Sequence, residues 1–207
     1  MKTGNLYDPG LHLFLDDFEV QDHPGFIRKI QQPERVGDGP VLRPDRPWEG
    51  IAVQMWGSAL YDGEEELFKM WYYSVNAELY NRDRTGLYIC YATSKDGLNW
   101  DKPELGIVDS DGSTANNIVY PPPGPAYDSD PWGVVKDDNE PDPQKRYKML
   151  VYQQRPTPGA PVFDEAGMTR EEKNEARKHL LLAIKDNVGG YPLFSPDGIR
   201  WTQGEQI

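Results

Sequence analysis

Apolar and aromatic residues occur along this chain in short runs, separated by turns rich in glycine, proline and acidic residues. Short runs bounded by turn residues are typical of β-strands rather than of helices. The Asp62-Gly63 step between two apolar runs is a hairpin signal. The pattern predicts four antiparallel strands in each half of the chain, at 51–61, 67–74, 86–94 and 98–102, and at 132–136, 147–153, 178–185 and 199–202.

A repeated phrase divides the chain in the same way. Ser-x-Asp-Gly-x-x-Trp occurs at 94–100 and again at 195–201, and an aromatic-rich segment precedes each copy, with Lys69 in the first and Lys148 in the second. The lysines lie 148 − 69 = 79 residues apart and the serines 195 − 94 = 101 apart, so the second copy holds about 22 more residues. One supersecondary unit is therefore predicted to occur twice.

The repeated phrase has a structural explanation. Asp-Gly forms a tight turn, and the Ser and Asp side chains can accept hydrogen bonds from the amides of that turn. We therefore interpret Asp96 and Asp197 as turn-forming residues rather than catalytic ones.

The remaining segments are assigned by their composition. Residues 11–20 are predicted to form an N-terminal strand, and the segment 109–131 is rich in Gly, Pro and Asn, with one short strand considered at 117–120. Thr169 stands ahead of two glutamates, as a helix N-cap should, which predicts a surface helix at 168–179. One domain, 1–207, is expected, divided into an N-terminal strand and entry segment, a first repeat, a linker and a second repeat, at 11–50, 51–108, 109–131 and 132–207.

The composition restricts the ligands that the chain can bind. Its 207 residues carry a formal net charge of −12. Nucleic acid is bound through clustered Lys and Arg, so it is not an expected partner, whereas neutral or cationic ligands are suitable. No apolar run reaches membrane-spanning length, and the N-terminus lacks the basic-then-apolar order of a signal peptide. We therefore expect no membrane association and a cytoplasmic location.

The sequence predicts neither a metal nor a cofactor. The three histidines, His12, His23 and His179, are dispersed and do not have the spacing of zinc ligands. No Gly-rich phosphate loop or nucleophile elbow occurs. The single cysteine, Cys90, lies among apolar residues and is interpreted as a buried structural thiol.

The turn phrase after a Tyr-rich strand, repeated in this way, resembles the five-bladed β-propeller glycosidases, the superfamily of glycoside hydrolase families 32, 43, 62 and 68. The resemblance covers 11–202 and implies an all-β fold. The chain would hold an N-terminal strand and about two four-stranded blades. Longer phrases similar to the bacterial glycosyl-hydrolase-like members of this group stand at 13–17, 46–49, 68–72, 116–119 and 146–149.

The resemblance also implies that more blades exist than these two. A ring closed by five blades leaves no exposed sheet edges, whereas two blades would leave edges at both ends. We therefore expect the sequence to be the N-terminal part of a longer protein, or half of an assembly that another chain completes. The incomplete ring is expected to self-associate.

The resemblance implies that acidic residues converge on a central channel from the inner strands of successive blades. A glycosidase needs two carboxyl groups across the scissile bond. Glu49 stands just before the first inner strand, Asp130 precedes Pro131 before the second, and Asp16 and Asp17 interrupt the N-terminal strand. These four are the candidate catalytic residues, whereas the general acid is expected from a third blade.

Each candidate acid has a structural alternative. Glu49 could pair with a neighbouring arginine, and Asp130 could initiate a turn. Asp16 or Asp17 could cap a β-bulge or pair with Arg28.

Three tryptophans, Trp48, Trp56 and Trp132, are candidate substrate-binding residues, because an indole can stack on a sugar face. Three functions remain open on the sequence. The first is a glycoside-active enzyme, hydrolase or phosphorylase. The second is a non-catalytic carbohydrate-binding propeller. The third is a propeller that binds a partner without sugar specificity.

Overall fold

The computed structural model describes residues 25, 27, 29–83, 85–121, 128–154, 167–184 and 188–205. The chain divides into two compact units, 1–39 and 40–207. In the first unit, the described residues form neither helix nor strand. The predicted strand at 11–20, with Asp16 and Asp17, lies outside the described residues.

The second unit contains two four-stranded antiparallel sheets, so the described part of the chain is mostly β, as predicted. Sheet one has the order β1-β2-β3-β4, and a short helix, α1 (Ala77–Asp83), joins β2 to β3. Its strands are β1 (Ala52–Asp62), β2 (Leu67–Val75), β3 (Leu87–Ser94) and β4 (Ile118–Tyr120).

Sheet two has the order β5-β6-β7-β8, and the longer helix α2 (Arg170–Ile184) lies between β6 and β7 in sequence. Its strands are β5 (Asp128–Lys136), β6 (Tyr147–Gln154), β7 (Val188–Ser195) and β8 (Thr202–Gln203). None of the helices in the described part of the chain is long and apolar enough to cross a membrane.

Two of the predicted strands are wrong, and a third is displaced: of the segment 199–202, only Thr202 belongs to a strand, β8. The segment 98–102 is mostly turn, with a single bridge from Asp101 to Thr93. The fourth strand of sheet one is β4, in the linker segment, where a short strand was considered at 117–120. Most of the segment 178–185 belongs to α2, which is longer than the predicted helix at 168–179. Apolar residues near the end of α2 were mistaken for a strand, because a short apolar run does not distinguish helix from strand.

The two sheets have the same register, which confirms the internal repeat. Ser94 on β3 lies opposite Phe68 on β2, and Ser195 on β7 lies opposite Tyr147 on β6. The next residues along β2 and β6 are the two lysines, opposite Thr93 and Phe194. Lys69 and Lys148 therefore occupy equivalent positions, and so do Tyr73 and Tyr152.

The repeated phrase forms the same turn in both sheets. In the first turn, Oδ1 of Asp96 accepts hydrogen bonds from the amides of Leu98 and Asn99, both at 2.8 Å. Asp197 accepts from Ile199 and Arg200 at the same distances. The hydrogen bond from the backbone amide of Asn99 contributes most to lowering the pKa of Asp96. These contacts confirm that both aspartates are turn-forming residues.

The tryptophans of the two turns differ in one hydrogen bond. Trp100 donates its indole N–H to the carbonyl of Gly97 in its own turn, at 3.0 Å. The equivalent carbonyl in sheet two, that of Gly198, accepts instead from Trp71 of sheet one, at 2.6 Å. Nε1 of Trp201 is buried and has no partner among the described residues. A contact between the sheets thus replaces a contact within the turn.

The main core lies between the sheets. One face of β2, with Lys69 and Trp71, packs on the face of β6 that bears Tyr147 and Met149. A second core covers the opposite face of sheet one and includes Cys90. Burial raises the pKa of the Cys90 thiol to about 12. The cysteine is therefore a buried thiol, as predicted.

Candidate functional site

One exposed tryptophan lies on the first strand of each sheet and stacks on a tyrosine of the second strand. Trp56 on β1 is 51% exposed and stacks on Tyr73, with ring centroids 6.0 Å apart and an interplanar angle of 11°. Trp132 on β5 is 60% exposed and stacks on Tyr152, at 5.6 Å and 4°. Each stacking partner holds its indole on the sheet and leaves much of the ring surface in water.

The two stacked pairs occupy equivalent places in the repeat. Tyr73 and Tyr152 are equivalent by register, and each tryptophan lies in an irregular stretch of its strand, where the pairing shifts. A bulge of this kind redirects a side chain. Trp56 and Trp132 are therefore two copies of one feature.

The strands that bear the two tryptophans are neighbours across the interface between the sheets. The backbone N–H of Val134 on β5 donates to Oγ of Ser58 on β1, at 2.8 Å. Further along both strands, Lys136 donates to Asp62. Because the contacts follow the same order along β1 and β5, the two strands run in the same direction. Each tryptophan precedes the Ser58–Val134 bond by two residues along its strand. By the alternation of side chains, Trp56 with Tyr73 lies on the face of sheet one toward sheet two, whereas Trp132 with Tyr152 lies on the face of sheet two away from sheet one.

Asp130 is the candidate acid that the structure brings to a stacked pair. It lies on β5 directly opposite Tyr152, and it is only 8% exposed. Paired residues on neighbouring strands point to the same face, so the carboxyl group lies on the same side of sheet two as Tyr152 and the Trp132 stacked on it. The equivalent residue in sheet one is Gln54, opposite Tyr73.

Glu49 is fully buried, and its carboxylate is bonded on both oxygens. Oε1 accepts from the Tyr72 hydroxyl at 2.6 Å, and Oε2 accepts from the backbone amides of Asp45 and Arg46 at 2.9 and 3.0 Å. Lys102, almost completely buried, contacts both oxygens, at 2.6 and 2.8 Å. The carboxylate holds the segment before β1 against sheet one.

Trp48 belongs to the same buried network as Glu49. Its indole N–H donates to Oδ1 of Asn117 at 2.7 Å, and Nδ2 of Asn117 donates to the Tyr72 hydroxyl at 2.7 Å. Successive side chains of a strand point to opposite faces, so Tyr72 and Tyr73 lie on opposite faces of sheet one. Glu49 and Trp48 are therefore separated by sheet one from Trp56.

A second charged cluster joins the two sheets. The Asp62 side chain has no exposed surface; it accepts hydrogen bonds from Lys69 at 2.8 Å, from Lys136 at 2.7 Å and from the Tyr147 hydroxyl at 2.7 Å. Burial opposes ionisation of Asp62, but these hydrogen bonds outweigh it and hold its pKa below the ordinary value. A groove of about 440 Å³ between the ends of β1 and β5 runs past this cluster.

Trp56 and Trp132 were candidate binding residues on the sequence, whereas their tyrosine partners, Asp62 and Lys102 were missed. The dipeptide Trp-Gly at 56–57 recurs at 132–133, which is 132 − 56 = 76 residues later, and this recurrence is the signal that could have identified both stacked pairs. An aspartate also recurs at 62 and 137, where the first strand of each sheet ends. No local pattern indicates Lys102 as the partner of Glu49, because 53 residues separate them.

The site consists of aromatic and polar side chains rather than metal ligands. The described residues include no group of three or more His, Cys, Asp or Glu side chains that could hold a metal ion. A comparison of the chain with models of known protein families finds no match. A search of curated proteins finds none either. The geometry of the stacked pairs is therefore the main indication of function.

Proposed function

We propose that the chain binds a carbohydrate on the exposed faces of Trp56 and Trp132. The observation that carries this proposal is the recurrence of one exposed Trp–Tyr stack at equivalent positions of the two sheets. A pyranose or furanose ring has an apolar C–H face that packs on the electron-rich face of an indole. The hydroxyl groups around the sugar ring then need polar partners, which Gln54 and Asp130 supply.

The charges around the tryptophans favour an uncharged sugar. β1 contains neither Lys nor Arg, and the only basic residue of β5 is Lys136. Lys136 is bonded to Asp62 and Glu64. The basic residues of these two strands therefore offer no unpaired cation to an anionic polysaccharide, whereas a neutral saccharide needs none.

We further propose that the two sheets are consecutive blades of a β-propeller. The face of sheet one with Lys69 and Trp71 packs on sheet two, and sheet two has an equivalent face with Lys148 and Leu150 on its other side. A third sheet of the same kind could pack there in the same manner. Repetition of this packing would place the first strands of successive sheets around one axis.

Binding is tested by removing each indole. We expect Trp56→Ala and Trp132→Ala each to weaken saccharide binding about tenfold, because each removes one stacking surface. Isothermal titration calorimetry against a panel of neutral oligosaccharides measures the change.

Tyr61→Ala is the matched control, since Tyr61 is an exposed aromatic residue on the same strand, 55% exposed, and is not part of either stack. Unchanged affinity in both tryptophan variants would contradict the proposal.

Glycosidic bond cleavage is the second candidate function, and it is favoured by the buried carboxyl group of Asp130 beside Trp132. Hydrolysis requires two carboxyl groups, and Glu49 is already bonded on both oxygens. Of the two candidate acids among the described residues, Asp130 is the one on the same face as an exposed tryptophan.

We expect the protein to release the chromophore from aryl glycosides, and Asp130→Asn to lower turnover at least about a hundredfold with little change in saccharide affinity. Glu49→Gln, as control, is expected to lower the thermal midpoint rather than the rate measured on folded protein. Absence of turnover in the wild type would exclude hydrolysis but leave carbohydrate binding intact. Equal rates in wild type and Asp130→Asn would remove Asp130 from the mechanism.

A further inference from the structure

A third residue joins the Trp132–Tyr152 pair on the face of sheet two away from sheet one. Nε2 of Gln154 donates a hydrogen bond to the Tyr152 hydroxyl, at 2.9 Å. The two residues are two positions apart on β6, so their side chains point to the same face of the sheet. Gln154 therefore holds the hydroxyl end of the tyrosine on which the indole lies.

Trp132 depends on this tyrosine for its orientation. It lies in the irregular stretch between Pro131 and Gly133, where the pairing with β6 shifts, so no residue of β6 is paired with it. Its side chain is 60% exposed, and its ring is parallel to that of Tyr152 within 4°. A tilt of the tyrosine ring would therefore tilt the indole face on which a sugar would lie.

The equivalent place in sheet one has a different residue. Tyr73 is the counterpart of Tyr152 by register, and the residue two positions further along β2 is Val75. A valine side chain has no donor for a tyrosine hydroxyl. The hydrogen bond from Gln154 is therefore a feature of the Trp132 pair and not of the repeat in general.

We propose that Gln154 is a positioning residue of the sugar site at Trp132, an inference that rests on the proposed carbohydrate binding. By holding Tyr152, it fixes the indole before a sugar arrives, so less conformational freedom is lost on binding. Gln154 acts through Tyr152 and does not need to contact the sugar. Its removal lowers the affinity at Trp132 while the stacking surface remains.

The test isolates the Trp132 site in Trp56→Ala protein, titrated calorimetrically with the linear oligomers of glucose, xylose, mannose and fructose. In this background we expect Gln154→Met, which keeps the side-chain length and removes the donor, to weaken binding about fivefold. Tyr152→Phe should have the same effect, and the two changes together no more than either alone, because both remove one hydrogen bond. Gln144→Met, at an exposed glutamine between β5 and β6, is the control and should change nothing.

Two further measurements distinguish positioning from a merely structural role. In Trp132→Ala protein, Gln154→Met should leave the affinity of the remaining site unchanged, since its effect passes through Trp132. In protein labelled with fluorotryptophan, the fluorine resonance of Trp132, assigned by its absence from Trp132→Phe, should shift in Gln154→Met. The resonance of Trp56 should stay in place.

The outcomes separate this inference from the function beneath it. Equal losses of affinity in the Trp56→Ala and Trp132→Ala backgrounds would overturn the positioning role and leave carbohydrate binding standing. So would unchanged affinity in the Trp56→Ala background, or a Trp132 resonance that does not move. Binding of none of these saccharides by the wild type would overturn both.

Discussion

Replacement of Asp62 by Asn is expected to lower the free energy of unfolding by about 3 kcal/mol. The Asp62 side chain has no exposed surface, and it is the shared partner of Lys69 and Lys136. Without its charge, Lys69 stays buried with only Glu65, whose side chain is 57% exposed, as an acidic partner among the described residues. A buried cation with poor compensation costs much more than an exposed one.

The repeat provides a matched control for this change. Asp137 follows β5 as Asp62 ends β1, and it binds Lys148, the equivalent of Lys69, at 2.6 Å. Both of these side chains reach water, so we expect Asp137→Asn to have only a small effect. Urea unfolding of the two variants measures the difference. Equal losses of stability would show that burial of Asp62 between the sheets does not strengthen its ion pairs.

The pH dependence provides an independent check on Asp62. Its pKa in the folded protein lies below the value of about 3.9 in the unfolded chain. The stability from this ionisation is therefore fully present above about pH 4, and it is lost as the pH falls through the folded-state pKa. The wild type should accordingly lose its advantage over Asp62→Asn on acidification below pH 4. A stability gap that stays constant down to pH 2 would contradict the assignment.

Replacement of Gly198 by Ala is expected to cost about 2–5 kcal/mol. Gly198 has φ +75°, and a Cβ atom there would lie 2.7 Å from Cζ2 of Trp71 and 3.2 Å from the Tyr147 ring. The backbone conformation costs about 1–2 kcal/mol for a residue with a side chain. The clash adds the rest, because Trp71 is fully buried and donates a hydrogen bond to the same glycine.

Gly97→Ala separates these two costs. Gly97 occupies the equivalent turn of sheet one with φ +73°, but its Cβ would lie 3.9 Å from the nearest atoms, those of Phe68. We expect this variant to lose only the part that the backbone conformation explains, about 1–2 kcal/mol. Denaturant unfolding measures the loss of unfolding free energy in both variants, and the difference between the two losses is the cost of the clash at Gly198. Similar losses at the two glycines would show that Trp71 can move away from Gly198.

The burial of Glu49 and the exposure of Trp56 have different consequences for function. Glu49 is enclosed by Lys102 and Tyr72, so its charge stabilises the entry to β1. Trp56 is held only from one side by Tyr73 and leaves a large apolar surface in water. Exposed aromatic surface of this kind is a feature of binding sites. The aromatic pairs are therefore the stronger functional signal of the two.

The amino-acid sequence by itself determined the two turns, the repeat and most of the strands. The Ser-x-Asp-Gly-x-x-Trp turns depend on hydrogen bonds between residues two or three positions apart, so the same letters give the same turn in both sheets. The strands next to those turns then have the same register.

Only the tertiary structure decided which copy of each repeated residue is buried. Lys69 is covered by sheet two, whereas its equivalent Lys148 faces away from that interface, and nothing in the neighbouring residues distinguishes them. The ion pair of the buried Glu49 comes from Lys102, 53 positions away, and the place of β4 at the edge of sheet one comes from its pairing with β3. Burial and strand pairing depend on residues far apart in the chain, and a local pattern contains no information about them.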